Sequence, residues 1–405
     1  MLTPQERRAL AAALPEQGSP GQRYLAATAA RFASRQAALF SRLLAARGAA
    51  PAAQGFRVFV VKPVGNRCNL RCSYCFFPEH RGPAVMSREA LAALIKGVAE
   101  AGLPRVDFIW HGGEPLLAGR GFYREARRLQ RALLAAGSVR NLLMSNGTLV
   151  DREWAQFLGE HHFRLGLSID GPAPVHDRHR RDGAGYGSFG RVVHGLRLAR
   201  AAGVRVGAIS VFGPHADYQP GELVELLSGL GVSSFRLNPC LDGKRGEGYP
   251  EFALECAREA LARGPGLRFT LLDDVWSALL DYGGQACWMA GTCRHLVGVE
   301  PDGSLWACCE RHDREPGLRL GSIREQSLAE IWHDAPAREL RAGDERRRAA
   351  CRGCTWSMMC GGGCVHHRVV SAGDAAGEDP LCPAYGRTFA LLTALVDDCL
   401  QGGAG

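Results

Sequence analysis

No stretch of about 18 apolar residues occurs in the 405-residue chain, so nothing in it reads as a membrane span. The N-terminus lacks a continuous apolar core of the secretory kind, which argues against an export signal. Charge of one sign is scarce. Lys plus Arg number 49 against 41 Asp plus Glu, and the resulting +8 is spread along the chain with no basic block like a nucleic-acid arm. Nor does an aromatic-and-basic strand platform appear, so a nucleic-acid partner is not expected. Cysteine is absent between Cys75 and Cys240. The 15 cysteines cluster instead, three at 68–75 and most of the rest between 287 and 382. With no export route these thiols are expected in a reducing cytoplasm, where clustered cysteines signal metal or catalysis more often than disulfides.

What is present describes a folded chain. A 46% hydrophobic, 22% charged composition supports a sizeable core and two or three domains. Residues 1–55 read as an Ala- and Arg-rich helical extension packed as a cap on the main domain. From residue 56 to 270 apolar strands alternate with amphipathic helices in six units. The strands are predicted at 56–61, 105–110, 141–145, 163–169, 204–212 and 232–238. The helices are predicted at 87–101, 121–136, 151–160, 188–202, 221–230 and 251–263. This is an α/β chain, best read as a partial (β/α)6 barrel. A Rossmann-type open sheet competes on periodicity alone. Residues 271–385 form a cysteine- and glycine-rich extension with a hairpin at 296–309 turning on Asp302-Gly303 and one short helix near 327–340. It is expected to be held by something other than a conventional core. Residues 386–405 read as a closing helix and a fraying tail.

Polar motifs fall at the C-terminal ends of the strands, where a parallel α/β fold builds its site. Cys68, Cys72 and Cys75 come first, in CxxxCxxC spacing. Zinc wants four ligands, and no fourth lies nearby. Three thiolates on one loop suit a [4Fe-4S] cube whose fourth iron stays open. His111-Gly112-Gly113-Glu114-Pro115 follows the second strand, Ser145-Asn146-Gly147-Thr148 the third, and Ser168-Ile169-Asp170-Gly171-Pro172 the fourth.

CxxxCxxC after the first strand, with GGEP after the second, resembles the radical S-adenosylmethionine superfamily over about residues 57–385. The resemblance implies that Cys68, Cys72 and Cys75 hold a [4Fe-4S] cluster. Its open iron would chelate S-adenosylmethionine, and an electron would release a 5′-deoxyadenosyl radical that abstracts hydrogen from a substrate. It implies further that Tyr74 packs near the adenine and that Gly112, Gly113, Glu114 and Pro115 meet the cofactor. Ser168 and Arg180 would hold its ribose and carboxylate, and Leu241 would touch the adenine side. Asn146 and Asp170 are read either as site residues or as turn-formers. Cys240, at the end of the last strand, is open to a catalytic role.

The second cysteine region resembles the SPASM extension, the auxiliary-cluster domain of radical peptide and protein maturases. Its pattern runs Cys293-x9-Gly303-x4-Cys308, then Cys351-x2-Cys354-x5-Cys360-x3-Cys364-x17-Cys382, with Cys287 six residues ahead. Family topology implies one [4Fe-4S] cluster on Cys287, Cys293, Cys308 and Cys364. A second would sit on Cys351, Cys354, Cys360 and Cys382, giving three clusters in all. A flavodoxin or ferredoxin is the implied electron donor.

Two subfamilies share this frame. Ser168-Ile-Asp-Gly-Pro172, His176-Asp177, Arg180 and Gly187-Ser-Phe189 resemble anaerobic sulfatase maturases, which oxidise a cysteine or serine to formylglycine. Their catalytic base is an aspartate directly after the third cysteine of the extension, and here that place is Cys309. Maturases of ribosomally made peptides are similar too, and the missing aspartate turns the expectation toward them. The reading is therefore a peptide-modifying enzyme that abstracts a Cβ hydrogen from a precursor peptide and closes an aryl-carbon-to-Cβ cross-link, a cyclophane. Formylglycine formation is the alternative, and thioether formation or epimerisation another.

Overall fold

A computed structural model of the protein describes residues 2–14, 17–45, 55–75, 85–240, 246–282, 292–307, 318–374 and 376–402. Two helices come first, α1 (Pro4–Ala13) and α2 (Pro20–Ala45). The alternation then runs β1 (Val58–Val61), β2 (Leu70–Cys72), α3 (Arg88–Glu100), β3 (Val106–Trp110), α4 (Gly119–Leu133), β4 (Val139–Ser145) and α5 (Arg152–Glu160). It continues with β5 (Arg164–Ser168), α6 (Ala173–His179), β6 (Arg180–Asp182), α7 (Phe189–Ala201), β7 (Val206–Phe212), α8 (Pro220–Gly229), β8 (Ser234–Pro239) and α9 (Tyr249–Ala262). β1, β3, β4, β5, β7 and β8 pair in parallel in that order, the six strands of a partial barrel. Local chemistry sets the helix starts. Ser87 Oγ accepts the Ala90 N–H at the head of α3, and Asp151 does the same for Trp154 on α5.

Three features were not in the sequence reading. A short ribbon pairs β2 with β6 antiparallel, Cys72 opposite Arg180, and carries α6 with it. After β9 (Arg268–Phe269) and α10 (Thr270–Leu279), the hairpin β10 (Leu296–Val299) and β11 (Ser304–Trp306) forms as expected, with Gly303 at φ 88. Yet β10 also pairs in parallel with β1, so the extension continues the barrel's sheet, with β12 (Arg319–Ser322) outermost. And where one short helix was expected there are several. α11 (Leu328–His333) and α12 (Ala335–Ala350) are split by extended Asp334 ahead of Pro336, followed by α13 (Ser357–Cys360) and α14 (Val365–Ala372).

The extension also has a conventional core, contrary to expectation. Leu305, Leu318, Leu320, Ile331 and Trp332 are buried in the same apolar cluster as the barrel's Phe59 and Phe108. The closing helix, α15 (Cys382–Leu400), starts earlier than predicted, with Pro383 in its first turn.

α1 and α2 lie against α9, α10 and α15. Arg7 grips Asp397 through two 2.8 Å hydrogen bonds. Asp273, 2% exposed, is the anchor for α2. It accepts from Tyr24 Oη at 2.9 Å, Arg31 Nη2 at 2.9 Å and Arg268 Nη2 at 2.6 Å. Tyr24 Oη in turn accepts the Phe269 N–H at 2.9 Å. Tyr24→Phe keeps the ring but strands the buried Phe269 N–H and leaves Asp273 Oδ1 with Thr28 Oγ1 as its hydroxyl donor, so it is expected to cost about 1–3 kcal/mol. Chemical denaturation should show a lowered midpoint with an unchanged slope.

Candidate active site

The first cysteine loop is held by the motif that follows the next strand. Gly113 N–H donates to Gly65 O and Glu114 N–H to Arg67 O, both at 2.8 Å, so the GGEP turn lies on the backbone leading into Cys68. Only glycine fits there. A Cβ on Gly113 would stand 2.0 Å from Arg67 O, and Gly112 has φ 108. On the far side the β2–β6 ribbon brings Arg180 Nη1 to 4.0 Å from Cys72 Sγ. Leu70 N–H points to Cys68 Sγ at 3.4 Å and Asn146 Nδ2 at 3.7 Å.

Burial pushes the Cys68 thiol up to about 11, with Glu114 and Cys72 adding to it. Burial also raises Cys72, against the pull of Arg180. These thiols therefore hold their protons until a metal displaces them. None of the described cysteines is disulfide-bonded. Three free thiols on one loop, with N–H donors turned toward two of the sulfurs, suit an iron–sulfur cluster by their chemistry, although among the described residues no three His, Cys, Asp or Glu side chains stand close enough to hold a metal ion as they are.

Glu114, fully buried, accepts from Leu116 N–H at 3.0 Å, Ser145 Oγ at 2.9 Å and Asn146 N–H at 2.8 Å. Burial raises its carboxyl to about 7 while those donors pull it back. Pro115 opens a 3-10 turn whose carbonyl accepts from Tyr123 Oη at 3.0 Å. Asn146 forms the turn and also reaches the first cysteine loop. Its Oδ1 accepts from Thr148 N–H at 3.0 Å as a turn-former, and its Nδ2 reaches Asn69 Oδ1 at 2.8 Å inside the cysteine loop.

Asp170 and Arg180 form a buried pair, Nε to Oδ2 at 2.5 Å. Asp170 also accepts from Val211 N–H at 3.0 Å and from Tyr74 Oη. Burial alone would raise this carboxyl, but the guanidinium and the hydrogen bonds hold it below the ordinary carboxylate range. Arg180 also lies 5.4 Å from the centre of the Tyr74 ring. Ser168 ends β5, half-buried, opposite Ile209. Cys240 follows β8, half-buried, its N–H donated to Phe212 O at 2.7 Å. Leu241, Cys287, Cys308 and Cys309 lie outside the described residues, as does the Cys293 side chain.

Two histidines were missed. His215 stacks on Tyr74 with ring centres 4.3 Å apart, and its Nε2 lies 3.0 Å from Val211 O. His179 Nδ1 lies 2.9 Å from Ser73 Oγ. His215 follows the end of β7 as the named motifs follow theirs, so strand-end position was a usable signal. His179 sits on α6, which the strand–helix rhythm passed over.

In the extension Cys351, Cys354, Cys360 and Cys382 are electrostatic neighbours. Burial first, then Cys382 and Cys351, raises Cys360 to about 11. Burial first, with Cys354 and Cys351 among the other causes, raises Cys382. Cys364 is buried nearby on a separate turn.

Two family models match the chain, the radical SAM superfamily over residues 63–227 and the iron-sulfur cluster-binding SPASM domain over 287–355. A serine-type anaerobic sulfatase-maturating enzyme of Klebsiella aerogenes is 30% identical over 352 residues, 83% of this chain and 85% of that protein. The chain belongs to the anaerobic sulfatase-maturating enzyme family. Its members use S-adenosylmethionine and iron–sulfur clusters to modify proteins. A cysteine-type family member from Clostridium perfringens is 28% identical over 351 residues, 82% of this chain and 94% of that one. The solved structure described as native anSMEcpe with bound AdoMet and Cp18Cys peptide superposes with a TM-score of 0.75 at 26% identity, covering 85% of this chain and 98% of that one.

The family assignment overturns the cyclophane reading, and it gives no support to thioether formation or epimerisation. That reading let one position, Cys309, outweigh a likeness running through both cysteine centres. Among the described residues no helix is long and apolar enough to cross a membrane.

Gly113→Ala should force the GGEP turn off Arg67 and leave the first cysteine loop unsupported. Reconstituted protein is then expected to lose about four of about twelve iron atoms and all S-adenosylmethionine cleavage, while the extension keeps its iron. Iron analysis alongside cleavage assays checks this.

Proposed function

We propose that this protein oxidises a cysteine of a client sulfatase to formylglycine. The observation that carries the reading is likeness, along four-fifths of the chain, to enzymes named for sulfatase maturation. Cys68, Cys72 and Cys75 are the assigned ligands of the cluster that binds S-adenosylmethionine. Cys287, Cys293, Cys308 and Cys364, and then Cys351, Cys354, Cys360 and Cys382, are those of two auxiliary clusters. When bound, these groups supply hydrogen-atom abstraction from an unactivated carbon through a 5′-deoxyadenosyl radical, together with a sink for the second electron.

The chain's own residues bind and orient. Glu114 is assigned to the ammonium group of S-adenosylmethionine and Arg180 to its carboxylate, with Arg180 fixed from behind by Asp170 at 2.5 Å. Ser168 is assigned to the ribose, Tyr74 and Leu241 to the adenine. The client segment lies extended between barrel and extension. A flavodoxin or ferredoxin brings the electron, and the work is placed in the cytoplasm.

Taking an alcohol or thiol carbon to the aldehyde level removes a hydrogen atom, an electron and a heteroatom proton; serine then is the aldehyde, whereas cysteine is a thioaldehyde that water hydrolyses with release of hydrogen sulfide. The proton is where this chain departs from its relatives, because Cys309 stands in the place of their aspartate base. A thiol, with a reference pKa of about 8.5, is mostly protonated at neutral pH, where an aspartate at about 3.9 is ionised, so a cysteine in this place offers little base. Serine needs such a base more than cysteine does, since a thiol gives up its proton far more readily than an alcohol. Similarity to the serine and cysteine types is nearly equal, at 30% and 28%. Position 309 therefore favours a cysteine client.

Paired peptides carrying Cys or Ser at the target position should show the preference. The cysteine peptide is expected to give aldehyde about tenfold faster or more, and Cys309→Ala is expected to keep most of that rate. Cys309→Asp should raise serine conversion selectively. Hydrazide trapping and mass spectrometry read the product. Cofactor cleavage without aldehyde from either peptide would overturn the proposal.

The Glu114 carboxyl sets a pH dependence. With its value raised to about 7, the group is protonated below that pH and ionised above it. The folded state binds this proton more tightly than the unfolded one, so the cofactor-free protein loses stability as pH rises from about 4.3 toward 7. An ammonium group prefers the carboxylate. S-adenosylmethionine affinity should therefore climb as pH passes through about 7, and Glu114→Gln should flatten the curve. Equilibrium binding at a series of pH values measures both.

A further inference from the structure

Between Cys360 and Cys364 the chain passes through three glycines in left-handed conformation, with φ 59, 98 and 81. This crossing joins thiols assigned to different auxiliary clusters. Asp379 lies beneath it, 1% exposed. Its Oδ2 accepts the backbone N–H of Cys364 at 2.7 Å and its Oδ1 that of Leu381 at 2.9 Å. His367 Nδ1 stands 3.2 and 3.3 Å from the two oxygens. The Asp379 backbone carbonyl accepts the N–H of Cys382 at 2.9 Å. One residue therefore bonds directly to a ligand cysteine of each cluster.

The neighbours fit that role. A Cβ on Gly363 would stand 2.7 Å from Asp379 Cβ and Oδ2, so the glycine lets the carboxylate approach the chain from below. From the other side Arg368, fully buried, donates Nη1 to Gly362 O and Nη2 to Asp344 Oδ1, each at 3.1 Å. Asp344 is held in turn by Arg348 Nε at 2.9 Å. All the contacts to Asp379 oxygens come from nitrogens, which suits an ionised, acceptor-only carboxylate. A buried negative charge next to ligand thiolates is weakly screened and disfavours adding an electron.

We propose that Asp379 is a positioning residue shared by the two auxiliary cluster sites, fixing Cys364 relative to Cys382 and holding the clusters' reduction potential down. The proposal rests on reading the eight extension cysteines as two clusters. A carboxylate that merely tied a turn would affect stability but not potential, and would not link the loading of two clusters.

The test uses anaerobically reconstituted full-length protein. Wild type should carry about twelve iron atoms. Asp379→Ala is expected to fall to about four, losing both auxiliary sets together, while S-adenosylmethionine cleavage shows that the barrel remains folded. Asp379→Asn removes the charge and keeps an acceptor oxygen for the Cys364 N–H, at the expense of the oxygen that takes the Leu381 N–H. It is expected to retain its iron and to shift the auxiliary potential upward in an EPR-monitored titration by about 59 mV or more, a tenfold change in a one-electron equilibrium. Loss of only one cluster in Asp379→Ala, full retention of iron there, or an unmoved potential in Asp379→Asn would overturn the proposal. A wild-type count near four iron would refute the two-cluster reading itself, before any substitution is made.

Discussion

The parallel pairing of Val58–Val61 with Val106–Trp110 on one side and Leu296–Val299 on the other is the constraint on which the rest depends. It makes the first barrel strand common to both halves of the chain, so the extension is registered to the barrel by backbone hydrogen bonds. At the end of that strand Lys62, 1% exposed, meets Glu300 at 2.8 Å across the seam. A buried ion pair adds little net stability, but it penalises any other register by leaving a charge unpaired. An enzyme that must pass a hydrogen atom to one centre and an electron to another needs the two held at a fixed separation. Here one sheet joins the barrel to the extension.

The same economy appears in the polar motifs. Residues assigned to the cofactor also brace one another. Glu114 ties the GGEP turn to Ser145 and Asn146 at the end of the next strand. Asp170 ties the end of β5 to Arg180 on the cysteine ribbon and to β7 through Val211. Two pairs of neighbouring strand ends, β3 with β4 and β5 with β7, are thereby locked together by a buried carboxylate. Such a site is preorganised, and its buried charges are costly unless every partner is present.

Much of this was legible in the chain. All six barrel strands were placed within about two residues, because a buried parallel strand is an unbroken apolar run and α3 and α5 carry their caps in sequence at Ser87 and Asp151. The hairpin on Asp302-Gly303 was legible for the same local reason. What was not legible depends on pairing across long separations. Cys72 meets Arg180, 108 residues on. Tyr24 meets Asp273, 249 residues on. Nothing in the local pattern announces β6, only three residues long, or α6, which follows Gly171-Pro172 without a side-chain cap. The core of the extension escaped notice because cysteine density drew attention from Leu318, Leu320 and Ile331. The chemical reading failed differently. A single altered position was allowed to decide the reaction, although the likeness to one family runs along four-fifths of the chain.

Both cysteine centres are built by one device, though they share no sequence. A loop that supplies thiolates cannot also satisfy its own N–H groups in a ladder, and burying them unpaired would cost about 1–3 kcal/mol each. In the barrel the answer is a turn laid on the loop, with Gly113 giving its N–H to Gly65 and leaving no space for a Cβ against Arg67. Buried Glu114 then fixes that turn from below. In the extension the answer is Asp379 beneath Gly363, taking the N–H of Cys364. In each case glycine is required by a close approach, and a carboxylate collects backbone donors that no strand partner can reach. Fixing the backbone of a loop in this way lowers the part of the ordering cost that cluster assembly has to bear.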